Sequence, residues 1–168
     1  VLCPYLTGIR DLLGNPNSRP KRYVIDFQGF DVFKAQSFEK PFEIVKKTVY
    51  PDRRKKAEEE SERNRKTLER NSKAKVNRHH TNFFKRWWQL SYDRGELMSE
   101  LEKINRYVVC VRHTKRPIFE FVSTSIHPND ALQVFPVADD YSFGILQSEM
   151  HWEWFCARCS TIKRDWRY

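Results

Sequence analysis

Apolar and polar positions along the chain alternate with two different periods, and each period predicts its own kind of element. Residues 23–27, Tyr-Val-Ile-Asp-Phe, are β-branched and aromatic and stop before Gly29, which predicts a strand. Phe38, Phe42, Val45 and Val49 recur at spacings of 4, 3 and 4, predicting an amphipathic helix that ends near Pro51. Phe83, Phe84, Trp87 and Trp88 place an aromatic stripe on one face of a helix over residues 81–90, a pattern more often core than base-stacking platform. Asp93, with Glu96 three residues on, predicts the capped start of another helix, whose apolar face carries Leu97, Leu101 and Ile104. Residues 107–111, 118–122 and 132–137 predict strands separated by polar segments at 112–117 and 123–130. A helical rhythm resumes over residues 143–162, with Phe143, Leu146, Met150, Trp154 and Phe155 as inward positions. Strands mixed with unequal helices predict an α+β fold, a small mixed or antiparallel sheet with several helices.

Between residues 52 and 78 this patterning fails. The segment holds eleven basic and six acidic residues, with only Ala57, Leu68, Ala74 and Val76 apolar. It has no continuous apolar face, so it is expected as a long solvent-exposed helix laced with charge pairs, or as an arm. Residues 1–168 are expected to form a single domain, with 52–80 as this charged insert.

Charge narrows the choice of partners. Lys and Arg exceed Asp and Glu by 31 to 22, a formal net charge of +9, so a polyanion is the natural partner. The apolar runs are far shorter than the roughly 20 residues of a membrane helix, and the amino terminus lacks the pattern of a secretory signal. A cytoplasmic chain without a membrane partner is expected. Absence of an initiator Met and the abrupt end after Tyr168 suggest a fragment of a longer protein. Cys3, Cys110, Cys156 and Cys159 are expected as ordinary buried thiols; Cys156 and Cys159 have the spacing of half a zinc site, but a second pair is missing.

No self-contained catalytic constellation stands out. The five glycines are scattered, Asn15-Pro16-Asn17-Ser18 reads as a loop, and Pro51-Asp52 lacks the further carboxylate and lysine of a metal nuclease. His79, His80, His113, His127 and His151 are dispersed, and no nucleophile elbow is present. The chemistry that remains is cationic. Arg53, Arg54, Lys55 and Lys56 open the charged segment and Lys73, Lys75 and Arg78 close it, as candidates for phosphate contacts that position a protein without reading sequence. Arg112, His113, Thr114, Lys115 and Arg116 lie between two predicted strands, where a loop can present Arg or Lys to guanine acceptors; an exposed basic hairpin loop fits the same composition.

An ordered series of short motifs runs through the chain. It begins with Pro4-Tyr5-Leu6-Thr7-Gly8, Arg10-Asp11-Leu12, Arg22-Tyr23-Val24-Ile25-Asp26-Phe27 and Val49-Tyr50-Pro51-Asp52-Arg53. It continues with Trp87-Trp88, Arg106-Tyr107, Phe143-Gly144-Ile145-Leu146-Gln147-Ser148 with His151 and Trp154, and residues 163–168. This series resembles the target-recognition region of MmeI-like (type IIG/IIL) single-chain restriction-modification adenine DNA methyltransferases, over almost the entire chain. The resemblance implies a domain that reads double-stranded DNA beside a methyltransferase core of the same polypeptide. S-adenosylmethionine would be bound by that core, with no cofactor in this chain, and many members also carry a nuclease. The resemblance further implies that residues 112–117 form the specificity loop, so that Arg112 to Arg116 read bases, while Lys163, Arg164 and Arg167 join the phosphate contacts. The charged insert is longer than the usual pattern. A general RNA or single-strand binding module, with the Phe83 to Trp88 rings stacking on bases, is the alternative; a protein-interaction domain with an acidic partner is a further one.

Overall fold

A computed structural model describes residues 1–12, 20–92 and 94–168, with side chains left aside at positions 9 and 10. The chain divides into two compact units, Val1–Leu2 with Ile25–Asp93, and Cys3–Val24 with Arg94–Tyr168. Its elements in order are β1 (Leu2–Leu6), α1 (Ile9–Leu12), β2 (Arg22–Ile25), α2 (Val32–Gln36), α3 (Glu39–Thr48), α4 (Tyr50–Arg70), α5 (His79–Lys85), α6 (Gly95–Leu101), β3 (Arg106–Val111), β4 (His113–Thr114), β5 (Glu120–Ser123), β6 (His127–Pro128), β7 (Leu132–Phe135), α7 (Asp140–Gln147), α8 (Glu149–Arg158), β8 (Thr161–Ile162) and β9 (Asp165–Arg167). The fold is α+β, as the patterning predicts.

The first unit is helical. Phe27, Ala35, Phe42 and Val45 form its buried centre, with Val1, Ile25, Phe30, Val32, Val49, Trp87 and Trp88 packed around them. The predicted apolar face of α3 is therefore the face that is buried. Val49 is a turn between α3 and α4, and Pro51 sits in the first turn of α4, where its missing N–H is no loss. The charged segment forms the 21-residue α4, braced by exposed pairs such as Arg54–Glu58, Lys56–Asp52 and Arg65–Glu62. Only Ala57 and Glu60 of α4 are buried.

The aromatic stripe packs inward, although α5 ends at Lys85 and turns carry Trp87 and Trp88. The Trp88 indole donates to the Phe30 carbonyl at 2.9 Å, while Trp87 meets Phe42 at 5.2 Å and Tyr50 at 5.0 Å between ring centroids. Glu60 fastens α5 to α4. Its carboxylate accepts from the backbone N–H of His80 and Thr81 and from the Thr81 hydroxyl, at 3.0, 2.9 and 2.8 Å. These are donors that the first turn of a helix leaves without partners, so a distant carboxylate performs the capping that Arg78, the residue before α5, does not.

The second unit is organised by β3, the centre of an antiparallel sheet of order β5-β3-β7. Successive side chains of a strand face opposite ways, so Tyr107 and Val109 join Leu6, Leu12, Leu101, Val122 and Leu132 on one face. Val108 and Cys110 join Phe119 on the other, with Phe121, Phe135, Phe143, Leu146 and Tyr168 beside them. A strand buried on both faces must read as a continuous apolar run, which residues 107–111 do. A second sheet has the order β2-β1-β6, with β1 and β6 parallel through Tyr5↔His127 and Leu6↔Pro128. The predicted cap Asp93 and the loop 15–18 lie outside the described residues.

One predicted helix divides. Residues 143–162 contain the end of α7, a break at Ser148, the whole of α8 and the start of a hairpin. The Ser148 hydroxyl oxygen accepts from the His151 N–H at 3.1 Å and starts α8 as a new helix. The break resets the helical phase. Met150 and Trp154, expected inward, are 83% and 58% exposed, whereas Phe143, Leu146 and Phe155 do pack inward. Of the cysteines, Cys110 is buried as expected; Cys3, Cys156 and Cys159 are only partly covered, and all four are free thiols.

Candidate nucleic-acid interface

The third sheet, of order β4-β9-β8, brings together residues that are fifty apart in sequence. β4 pairs antiparallel with β9 through His113↔Arg167 and Thr114↔Trp166, and β8 pairs with β9 through Thr161↔Trp166 and Ile162↔Asp165. Trp166 meets the rings of Trp152 and Phe155 at 6.3 and 6.0 Å, fixing that face of β9 inward. Alternation then turns Arg167 and its partner His113 to the opposite face, and both are exposed. Beyond Thr114 the register runs toward Asp165 and the two-residue turn Lys163-Arg164. Lys115 and Arg116 therefore lie at the end of the sheet that carries Lys163 and Arg164, and all four are exposed.

Segments 113–116 and 161–168 thus bring five exposed cations and His113 to this sheet and its end, with Asp165 the one carboxylate within those segments. Lys163 has a φ of +57°, a left-handed conformation that is costly for a side chain with a Cβ and that glycine would adopt freely. Tyr168 anchors the sheet. Its N–H donates to the Arg112 carbonyl at 2.9 Å, and its ring stacks on Phe155 at 4.2 Å. The Leu146 carbonyl can only accept, so the His151 Nδ1–H donates to it at 2.9 Å, leaving Nε2 to accept from the Tyr168 hydroxyl at 2.7 Å. Burial pushes the Tyr168 phenol well above its ordinary pKa, so it stays a neutral donor.

Not every candidate in the loop is available to a ligand. Arg112 is half-buried and donates to the Asp130 carbonyl at 3.1 Å. The Thr114 hydroxyl donates to the Arg116 carbonyl at 2.8 Å and accepts from the Arg116 N–H at 3.3 Å, shaping the turn. His113, Lys115 and Arg116 remain directed at solvent.

The other phosphate candidates belong to the helical unit. Arg53 serves the interior there: its guanidinium donates to the carbonyls of Phe83 and Arg86, both at 3.2 Å, and to the Ser91 hydroxyl at 3.0 Å. Burial, with Arg86 nearby, lowers its pKa from the ordinary arginine value. Arg54 and Lys56 are exposed and paired with Glu58 and Asp52, pairs weak enough for a phosphate to displace. Lys55, Lys73, Lys75 and Arg78 are exposed.

The hairpin β8–β9 was not legible as such, because the helical rhythm was extended through Ile162. The β-branched pair Thr161-Ile162 after Cys159-Ser160 was its local signal. Glu60 was missed as well, since nothing local marks one carboxylate of a charged helix as buried.

Gly8 and Gly29 take positive φ in separate turns, and a Cβ added at Gly29 or Gly144 would meet open space rather than a closely approaching group. Among the described residues no group of three His, Cys, Asp or Glu could hold a metal ion, and no helix is long and apolar enough to cross a membrane. Compared with protein-family models, curated proteins and solved structures, the chain finds no match in any of the three.

Proposed function

We propose that this chain is the DNA target-recognition domain of an MmeI-like restriction-modification adenine-specific DNA methyltransferase, working beside a methyltransferase core on the same polypeptide. The observation that carries the reading is the placement of Lys115 and Arg116 and of the Lys163-Arg164 turn at one end of the β4-β9-β8 sheet, with Arg167 on β9. A base-reading side chain must be aimed, and a loop tied by the Thr114 hydroxyl and clamped through Tyr168 to the core loses little entropy on binding. Lys115 and Arg116 then meet guanine O6 and N7 in the major groove, while Lys163, Arg164 and Arg167 hold the flanking phosphates. Target adenine leaves the duplex for the pocket of the core, where S-adenosylmethionine supplies the methyl group. This chain contributes grip and selection, with no bond making of its own, in the cytoplasm where that DNA lies.

Selection of a randomised duplex library by the chain tests this. One enriched motif, altered at a single base pair when Lys115 and Arg116 are both changed to Ala, is the expected result. Enrichment of no motif by the folded chain would overturn the proposal in favour of a general nucleic-acid binding module.

A further inference from the structure

The helical unit carries its own anionophilic surface, away in sequence from the hairpin sheet. Residues 71–92 contain Lys73, Lys75, Arg78, Lys85 and Arg86 and not one Asp or Glu. The nearby acid, Glu60, is buried and accepts from the His80 and Thr81 donors; burial alone would raise its pKa, but those hydrogen bonds outweigh it and hold the group at about 2, so it stays an anion beneath α5.

Rings gather within this acid-free stretch. Phe83 meets Tyr92 edge-on at 5.4 Å and 81°, and His79 at 4.3 Å, while His79 and Tyr92 are 6.1 Å apart. Trp87 and Trp88 are consumed by the core and Phe84 packs on Tyr50, but Tyr92 is 70% exposed and His79 is exposed beside Arg78. The chain before α5 is held in place, with the Asn64 side chain donating to the Asn77 carbonyl and the Asn77 side chain accepting from the His79 N–H at 3.0 Å.

We infer that Tyr92, backed by Phe83 and flanked by His79, is a stacking ledge for an unpaired base, with Lys73, Lys75 and Arg78 taking the adjoining phosphates of a single strand. An exposed ring face is matched by the face of a base, and only an unpaired nucleotide offers one, since duplex bases are already stacked. Lys73, Lys75 and Arg78, from a stretch with no Asp or Glu between residues 71 and 92, supply the sequence-independent part of the binding. This inference goes beyond the duplex reading of the hairpin sheet and rests on different residues in the other unit.

The test uses the 168-residue chain, a fluorescent oligothymidylate of about 12 nucleotides and a duplex of the same length, read by anisotropy. Tyr92→Ala is expected to weaken the single strand about tenfold and to leave the duplex within about twofold, while Tyr92→Phe, which keeps the ring face, retains affinity. The double change Lys75→Ala and Arg78→Ala, which touches no ring, is expected to lower the salt dependence of single-strand binding. No single-strand binding by the unaltered chain, or equal losses on both ligands with Tyr92→Ala, would overturn the inference. Loss of motif selection with single-strand binding intact would strike the hairpin reading alone, so the two fail separately.

Discussion

Arg53 and Lys55 are two residues apart on one helix and have opposite fates. The guanidinium of Arg53 satisfies three acceptors and lies 5.8 Å from the Phe83 ring centroid, whereas Lys55 faces solvent. Arg53→Ala is expected to cost about 2 kcal/mol, because it removes the three hydrogen bonds by which α4 holds the Phe83 and Arg86 carbonyls and the Ser91 hydroxyl. Lys55→Ala should stay within about 0.5 kcal/mol, and chemical denaturation of the two variants distinguishes them. Glu60 gives the second residue-level prediction. Its folded pKa of about 2 lies below the ordinary 4.5, so its stabilisation is complete above about pH 4.5 and fades as pH falls toward 2. Glu60→Ala should therefore lose about 2 kcal/mol at neutral pH, and the gap from the unaltered protein should close in acid melts. Sequence could not separate Arg53 or Glu60 from their neighbours, since composition records a charge and not what surrounds it.

At the scale of elements, caps and turns decide where periodic segments stop. Ser148 ends one helical phase and begins another, and Ser148→Ala is expected to cost about 1 kcal/mol, read by thermal melting. The β8–β9 turn makes a contrasting case. Lys163→Gly relieves the left-handed backbone and should stabilise the hairpin by about 1 kcal/mol, while removing one cation from the proposed interface and weakening duplex binding. A rise in melting temperature together with loss of affinity is the expected pair of results. Strand β3 and helix α3 were legible because their burial follows directly from period and run length. Met150 and Trp154 were misread because a helical rhythm says nothing of a break until the capping hydroxyl is recognised.

For the whole molecule, the two units divide the surplus charge and present it differently. Arg54 and Lys56 are neutralised locally on α4, whereas Lys115, Arg116, Lys163, Arg164 and Arg167 lie exposed at the hairpin sheet and its end. Lys115→Ala and Arg116→Ala are expected to change which duplex is preferred. Arg167→Ala should weaken all sequences alike and reduce the salt slope by about 1, as loss of one phosphate contact requires. Equal losses on selected and scrambled duplexes for both kinds of variant would refute this division of labour.

Sequence by itself determined the α+β class, the strands around residues 107–111, the amphipathic α3, the charged helix and the basic surplus of the chain. Each of these follows from periodicity or composition, which are properties of neighbouring residues. Tertiary structure decided which charges are buried and where the others lie. It turned Arg53 and Glu60 inward and set the loop at Lys115 beside the turn at Lys163. Those outcomes depend on hydrogen-bond partners and strand registers between residues twenty to fifty positions apart, and no local pattern encodes such distances.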